Sequence, residues 1–272
     1  MVETRPLERR GDPNVAVLLS WFLPGAGHLY LGLFVPGLCL FFGLEGLYAL
    51  GWWLADGRTF EYLDPELQSP FATLLTPEAG NLGAMLAHLK LSGFGASEPL
   101  PFAQHAVLGY LCSALSGTLN LLACAHAHVA ARARKPAGPQ HPLVPLLAAW
   151  AFPGLGHWVQ GRRLRGVLVC VLLLGLFALG TWLAAGTNLS RERHFYYWSG
   201  QFLLGLPALG AEFLWGDVRM TAEVPHVDVG LLYASMAGLL NVLAWLDVFG
   251  VAERRYFEAR PGEAAATGTV SP

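Results

Sequence analysis

Two histidines occupy the same local setting, WxxPGxGH, at Trp21 to His28 and again at Trp150 to His157. Proline takes away a backbone donor and halts an incoming helix, and the glycines permit turns and close approach that a side chain would block. Imidazole placed at such a break can pair free backbone groups, hold a metal or carry a proton. Two readings follow. In the first, Pro24, Gly25, Gly27, His28 and Gly32, with Pro153, Gly154, Gly156, His157 and Gly161, form a structural elbow whose histidines pair backbone groups or a neighbouring helix. In the second, His28 and His157 face each other across a pseudo-symmetric centre and bind a metal, a proton or a lipid headgroup. Two histidines make an incomplete zinc site and no third ligand falls at fixed spacing, so no metal is assigned.

The remaining chemistry is sparse. Glu45 sits mid-way along an otherwise uncharged run, and Asp247 near the end of another. An ionisable group inside a membrane segment is a functional candidate because a charge in lipid is costly. His126 and His128 are two residues apart, on different faces of a helix, and are expected at the headgroup level. Arg162, Arg163 and Arg165 form a compact basic turn suited to lipid phosphates. No GxSxG, HExxH, GxxxxGK or DxD pattern occurs, so neither catalysis nor a cofactor is expected. The four cysteines lie in apolar runs and read as small buried hydrophobes.

The elements that must hold these residues are written twice. Residues 19–57 lie on 148–186 without a gap, and Trp21, Gly37 and the elbow residues meet Trp150, Gly166 and theirs. Glu45 has no acidic counterpart in this block, since Leu174 stands at its place. Residues 109–134 lie on 230–255, where His126 is matched by Asp247. Each copy predicts a short apolar segment with the elbow, a long apolar helix, a loop and a last apolar helix. The last helices carry Gly109, Ser113 and Gly117, and Gly230, Ala234 and Gly238, small residues on one face that let helices approach closely. Asn120 and Asn241 lie at the edge of that stripe and are expected to bond to another helix, at the open carbonyls of the elbow.

Only 13% of the 272 residues are charged and 54% are hydrophobic, with mean hydropathy +0.45. Too few charges remain to coat a soluble fold of this size, and the composition predicts an all-α, polytopic helical membrane protein built from two tandem, parallel repeats. A net charge of −2 argues against nucleic acid as a partner. Basic residues precede, separate and follow the copies, at Arg5, Arg9 and Arg10, at Arg132, Arg134 and Lys135, and at Arg254 and Arg255. Placing all three clusters in the cytoplasm requires an even number of crossings per copy. Two per copy with a re-entrant elbow is favoured over four, the latter adding a crossing through Tyr197 to Trp215. The layout is a cytoplasmic segment 1–13, membrane repeats 14–130 and 143–256 joined by a basic cytoplasmic linker 131–142, and a disordered tail 257–272. The apolar N-terminal stretch is read as part of the first repeat, not as a signal peptide, because the same WxxPGxGH recurs deep in the chain.

PGxGHxxxGxxxxG followed by an apolar segment, with a later GxLNxLAxxD at Gly238 to Asp247, resembles a bacterial multi-pass membrane family of unknown function with repeated hairpins of this kind. It is distantly similar to the two-helix transmembrane domain. The resemblance implies an inner-membrane location and says little of activity. Copy one departs from it, with His126 for the aspartate and no basic residue at Leu33 to Pro36. The function expected is a non-enzymatic scaffold or assembly component with membrane lipid, and other membrane proteins, as partners. The alternative is a small-solute or ion carrier or channel with a site between the copies.

Overall fold

The computed structural model describes residues 11–57, 78, 82, 84, 86, 103–132, 138–191, 193–216 and 224–257. All regular structure among them is helical. Asp12 starts α1 (Pro13–Phe22) by accepting the Asn14 and Val15 N–H groups, with Pro13 in the first turn, where its missing donor costs nothing. Pro24 and Gly25 end that helix. The chain then forms α2 (Ala26–Tyr30), turns at Gly32 and enters α3 (Phe34–Leu54). Helix α4 (Ala106–Ala131) completes copy one.

Copy two repeats the plan with α5 (Leu143–Ala151), α6 (Leu155–Val159), α7 (Arg163–Leu183) and the last helix, α10 (Val227–Phe257). Between α7 and α10 lie α8 (Phe195–Phe202) and α9 (Leu206–Trp215).

Among the described residues four helices, α3, α4, α7 and α10, are long and apolar enough to cross a membrane, with 21, 26, 21 and 31 residues. A rise of about 1.5 Å per residue gives each at least about 30 Å, the thickness of the hydrocarbon core. Helix α1, with 10 residues, spans only about half of that. Its start lies beside the end of α2, where the Tyr30 hydroxyl accepts the Asp12 N–H at 3.2 Å, so the elbow returns to the side it entered from. The apolar run Tyr197 to Trp215 is also not one crossing. It breaks at Gly205 (φ +91°), and Trp198 on α8 bonds Glu212 on α9, which makes the two a hairpin. Among the described residues the helix lengths therefore fit two crossings per copy, and the counterpart of this run in copy one, near residues 70–90, lies mostly outside them.

Within each copy the two long helices cross at the small-residue stripe. A Cβ on Gly51 would come within 2.6 Å of Gly109 O and Ser113 N, and one on Gly180 within 2.7 Å of Gly230 O and 2.5 Å of Ala234 N. The outer faces are alike as well. Trp53 and Trp182, at equivalent positions, are 70% and 76% exposed. Apolar side chains turned outward in this way are what a lipid-facing surface requires. The copies run parallel, since the C-terminal ends of α4 and α10 meet: Glu253 takes His128 at 2.9 Å and Arg132 at 3.1 Å. Arg162 also reaches α10, through Asp247, so the described basic clusters share one end of the bundle.

Candidate functional site

The elbow is made by backbone sterics. Gly25 and Gly154 have φ of +82° and +83°, and a Cβ on either would overlap the carbonyl of Gly37 or Gly166. Only glycine takes such a backbone without strain. The close approach pins each break against the first turn of the following long helix. Gly27 likewise abuts the Ala16 carbonyl and donates its N–H to the Ser20 hydroxyl oxygen at 3.1 Å.

So placed, each elbow histidine meets the last helix of its own copy. His28 Nε2 is 2.7 Å from His126 Nδ1, and His157 Nε2 is 3.1 Å from Asp247 Oδ2. Residues 126 and 247 are repeat equivalents, so one geometric slot holds a histidine pair in copy one and a histidine–carboxylate pair in copy two. Arg162 adds a 2.6 Å bond to Asp247. Both elbow histidines are buried. They sit outside the four long helices, and burial lowers the pKa of both. His126 adds to the effect at His28, which is held down to about 4, and Arg162 adds to it at His157, against Asp247. Each histidine thus has its partner in its own copy and not in the other histidine, and among the described residues no three His, Cys, Asp or Glu side chains are grouped to hold a metal. His126 stacks on His28, whereas His128 pairs with Glu253.

The asparagines part company. Asn120 donates to the carbonyls of Ser20 and Trp21, at the end of α1, as a bond to the elbow requires. Asn241 instead donates to Leu203 and Leu204, just past the end of α8, which packs against α10 at Gly238. The Ala149 carbonyl, equivalent to that of Ser20, is taken by the Trp245 indole at 3.1 Å. Gly117 is buried in α4, and Gly238 receives the backbone of Gly200 on α8. Glu45 is half-buried and accepts the Leu82 N–H at 3.1 Å. Of the basic turn, Arg163 and Arg165 are exposed and Arg162 half-buried.

A second cluster lies at the seam between copies, and sequence reasoning passed over it. Arg191 and Glu78 form a buried ion pair at 2.7 Å, and the same Glu78 oxygen accepts the Ser113 hydroxyl at 3.0 Å. The guanidinium lies 4.7 to 5.2 Å from the ring centres of Trp198, Tyr110 and Phe195. Those distances are within cation–π range. Beside it, Trp198 donates to the buried Glu212 carboxylate at 2.7 Å. A cavity of about 320 Å³ opens onto this cluster, with Gln104, His105 and Tyr110 from copy one and Ser190, Arg191 and Glu212 from copy two. Glu212 carried a signal: it is the sole charge in the run Tyr197 to Trp215, the same criterion that singled out Glu45.

No curated protein and no solved structure matches the chain. One family model does, twice, over residues 15–138 and 144–258, in register with the two copies. The chain belongs to that family, DUF6677, a family of unknown function.

Proposed function

We propose that the protein is a non-enzymatic scaffold of the bacterial inner membrane, both termini cytoplasmic, that presents its lipid-facing helices to membrane lipid and to other membrane proteins. The basic clusters gathered at one end support that orientation by the positive-inside rule. One observation carries the scaffold reading: the ionisable groups inside the bundle are engaged by internal partners. Arg191 is held by Glu78 and three aromatic rings, Asp247 by Arg162 and His157, and Glu45 by a backbone N–H. Groups engaged in this way fix geometry.

Photo-crosslinking side chains placed in native membranes at the exposed Leu168 and Leu243 test it. A protein adduct of one discrete mass, recurring from the same position, is the expected result. Adducts to lipid alone at both positions would count against a scaffold.

A carrier is the second reading, and the seam cavity favours it, being lined by both copies with Arg191 and Glu212 in its wall. Solute or proton flux in proteoliposomes that Glu212→Gln abolishes would establish the carrier and displace the scaffold.

A further inference from the structure

A groove of about 710 Å³ opens at the basic end, between the first turn of α7 and the last turns of α10. Arg162, Arg163 and Arg165 form one wall and Arg255 the other, with Leu164 and Val251 between. Four guanidinium groups meet one carboxylate here, since Asp247 lies 2.6 Å from Arg162 and 4.0 Å from Arg165. Arg255 is positioned by the chain itself: it donates to the Gln160 carbonyl at 2.9 Å, and the Gln160 side chain donates to the Val248 carbonyl at 2.6 Å. The groove thus keeps a surplus of positive charge on a fixed frame. Helix α7 begins at Arg163 without a side-chain cap, and its dipole adds to the same sign.

The charge is not needed to build the turn. Copy one makes the same bend, with Gly32 at φ +75° against +80° for Gly161, using Leu33, Phe34, Val35 and Pro36. Mutual repulsion among arginines costs stability, so their presence in copy two asks for an anion. Running away from the groove along α7, Leu164, Leu168 and Leu172 are exposed, at 74%, 60% and 63%. A ligand that fits both parts has a phosphate head and apolar tails.

We propose that this groove binds the phosphate of an anionic membrane lipid between Arg163, Arg165 and Arg255, with its acyl chains along Leu164, Leu168 and Leu172. The proposal goes beyond the scaffold reading and needs only that the chain be embedded in a bilayer.

Native mass spectrometry of the full chain in detergent, titrated with phosphatidylglycerol or with phosphatidylcholine of the same acyl chains, tests it. Phosphatidylglycerol is expected to bind the more tightly. Arg163→Gln/Arg165→Gln/Arg255→Gln is expected to weaken it about 100-fold, from about fivefold for each charge lost near an anionic surface. Arg193→Gln, an exposed arginine away from the groove, is expected to leave binding unchanged. The single change Arg163→Gln, at a side chain outside every ion pair described above, gives the same direction should the triple variant fail to fold. Equal binding of the two lipids, or undiminished phosphatidylglycerol binding by Arg163→Gln and the triple variant, overturns the proposal. Competition by inorganic phosphate with no dependence on acyl chains overturns it too, in favour of a free phosphate site.

Discussion

Trp198 gives its indole N–H to Glu212 at 2.7 Å across the break at Gly205, and the guanidinium of Arg191 lies 4.7 Å from the same indole. One ring thus joins the α8–α9 hairpin to the ion pair that ties the copies together. Glu78 comes from copy one and Arg191 from copy two, so the seam depends on charges from both.

Arg191→Leu is therefore expected to destabilise the protein by about 3–5 kcal/mol, because it strands a buried carboxylate. The double change Arg191→Leu/Glu78→Leu should recover much of that loss. Thermal unfolding in detergent, followed by tryptophan fluorescence, measures both, and a double variant no better than the single would refute the pairing.

The elbows separate two kinds of glycine. Gly25→Ala and Gly154→Ala face both a left-handed backbone and an overlap with a carbonyl, and should abolish accumulation of folded protein. Gly32 has the same backbone sign but open space around it. Gly32→Ala should therefore cost only about 1 kcal/mol. Yield of monodisperse protein by size-exclusion chromatography distinguishes them.

Acid should loosen copy one. His28 is held down to about 4 in the fold by burial and His126, against 6.5 when unfolded. Between those values the unfolded chain binds the extra proton, so stability is complete above about pH 6.5 and falls progressively towards about pH 4. The melting temperature of the wild type should drop over that interval, and His28→Gln should show a shallower drop. Parallel curves would disprove the assignment.

Helix packing gives a last contrast. Gly238→Leu drives a side chain into the Gly200 carbonyl and should dislodge α8 from α10, with loss of folded protein from the membrane. A Cβ on Gly175 meets nothing within 4 Å, and Gly175→Leu should accumulate as the wild type does. Membrane abundance of tagged variants by immunoblot decides it.

The all-helical class and the doubled plan were legible because long uncharged runs and a recurring glycine–proline pattern are local signals. The elbow residues were legible for the same reason. Their partners were not equally so: the alignment matched His126 with Asp247, yet that both would meet the elbow histidine is a relation across 98 residues in one copy and 90 in the other. Asn241 meets the carbonyls of Leu203 and Leu204 in place of the elbow's, a choice that the repeat alignment does not distinguish, and the apolar stretch from Tyr197 to Trp215 hides the break at Gly205. Arg191 lies in a polar stretch, and Glu78 is the single charge between Glu66 and Lys90, but neither setting names the partner 113 residues away. Only the tertiary fold brings them inside.

In a symmetric pair of identical subunits every bridge between subunits is made twice. The bond from Arg191 to Glu78 runs in one direction, from the second half to the first. The repeat symmetry is therefore broken at the seam, where one half supplies the cation and the other its counter-ion. A chain carrying either half twice would hold the cation or its counter-ion in both halves and lack the other.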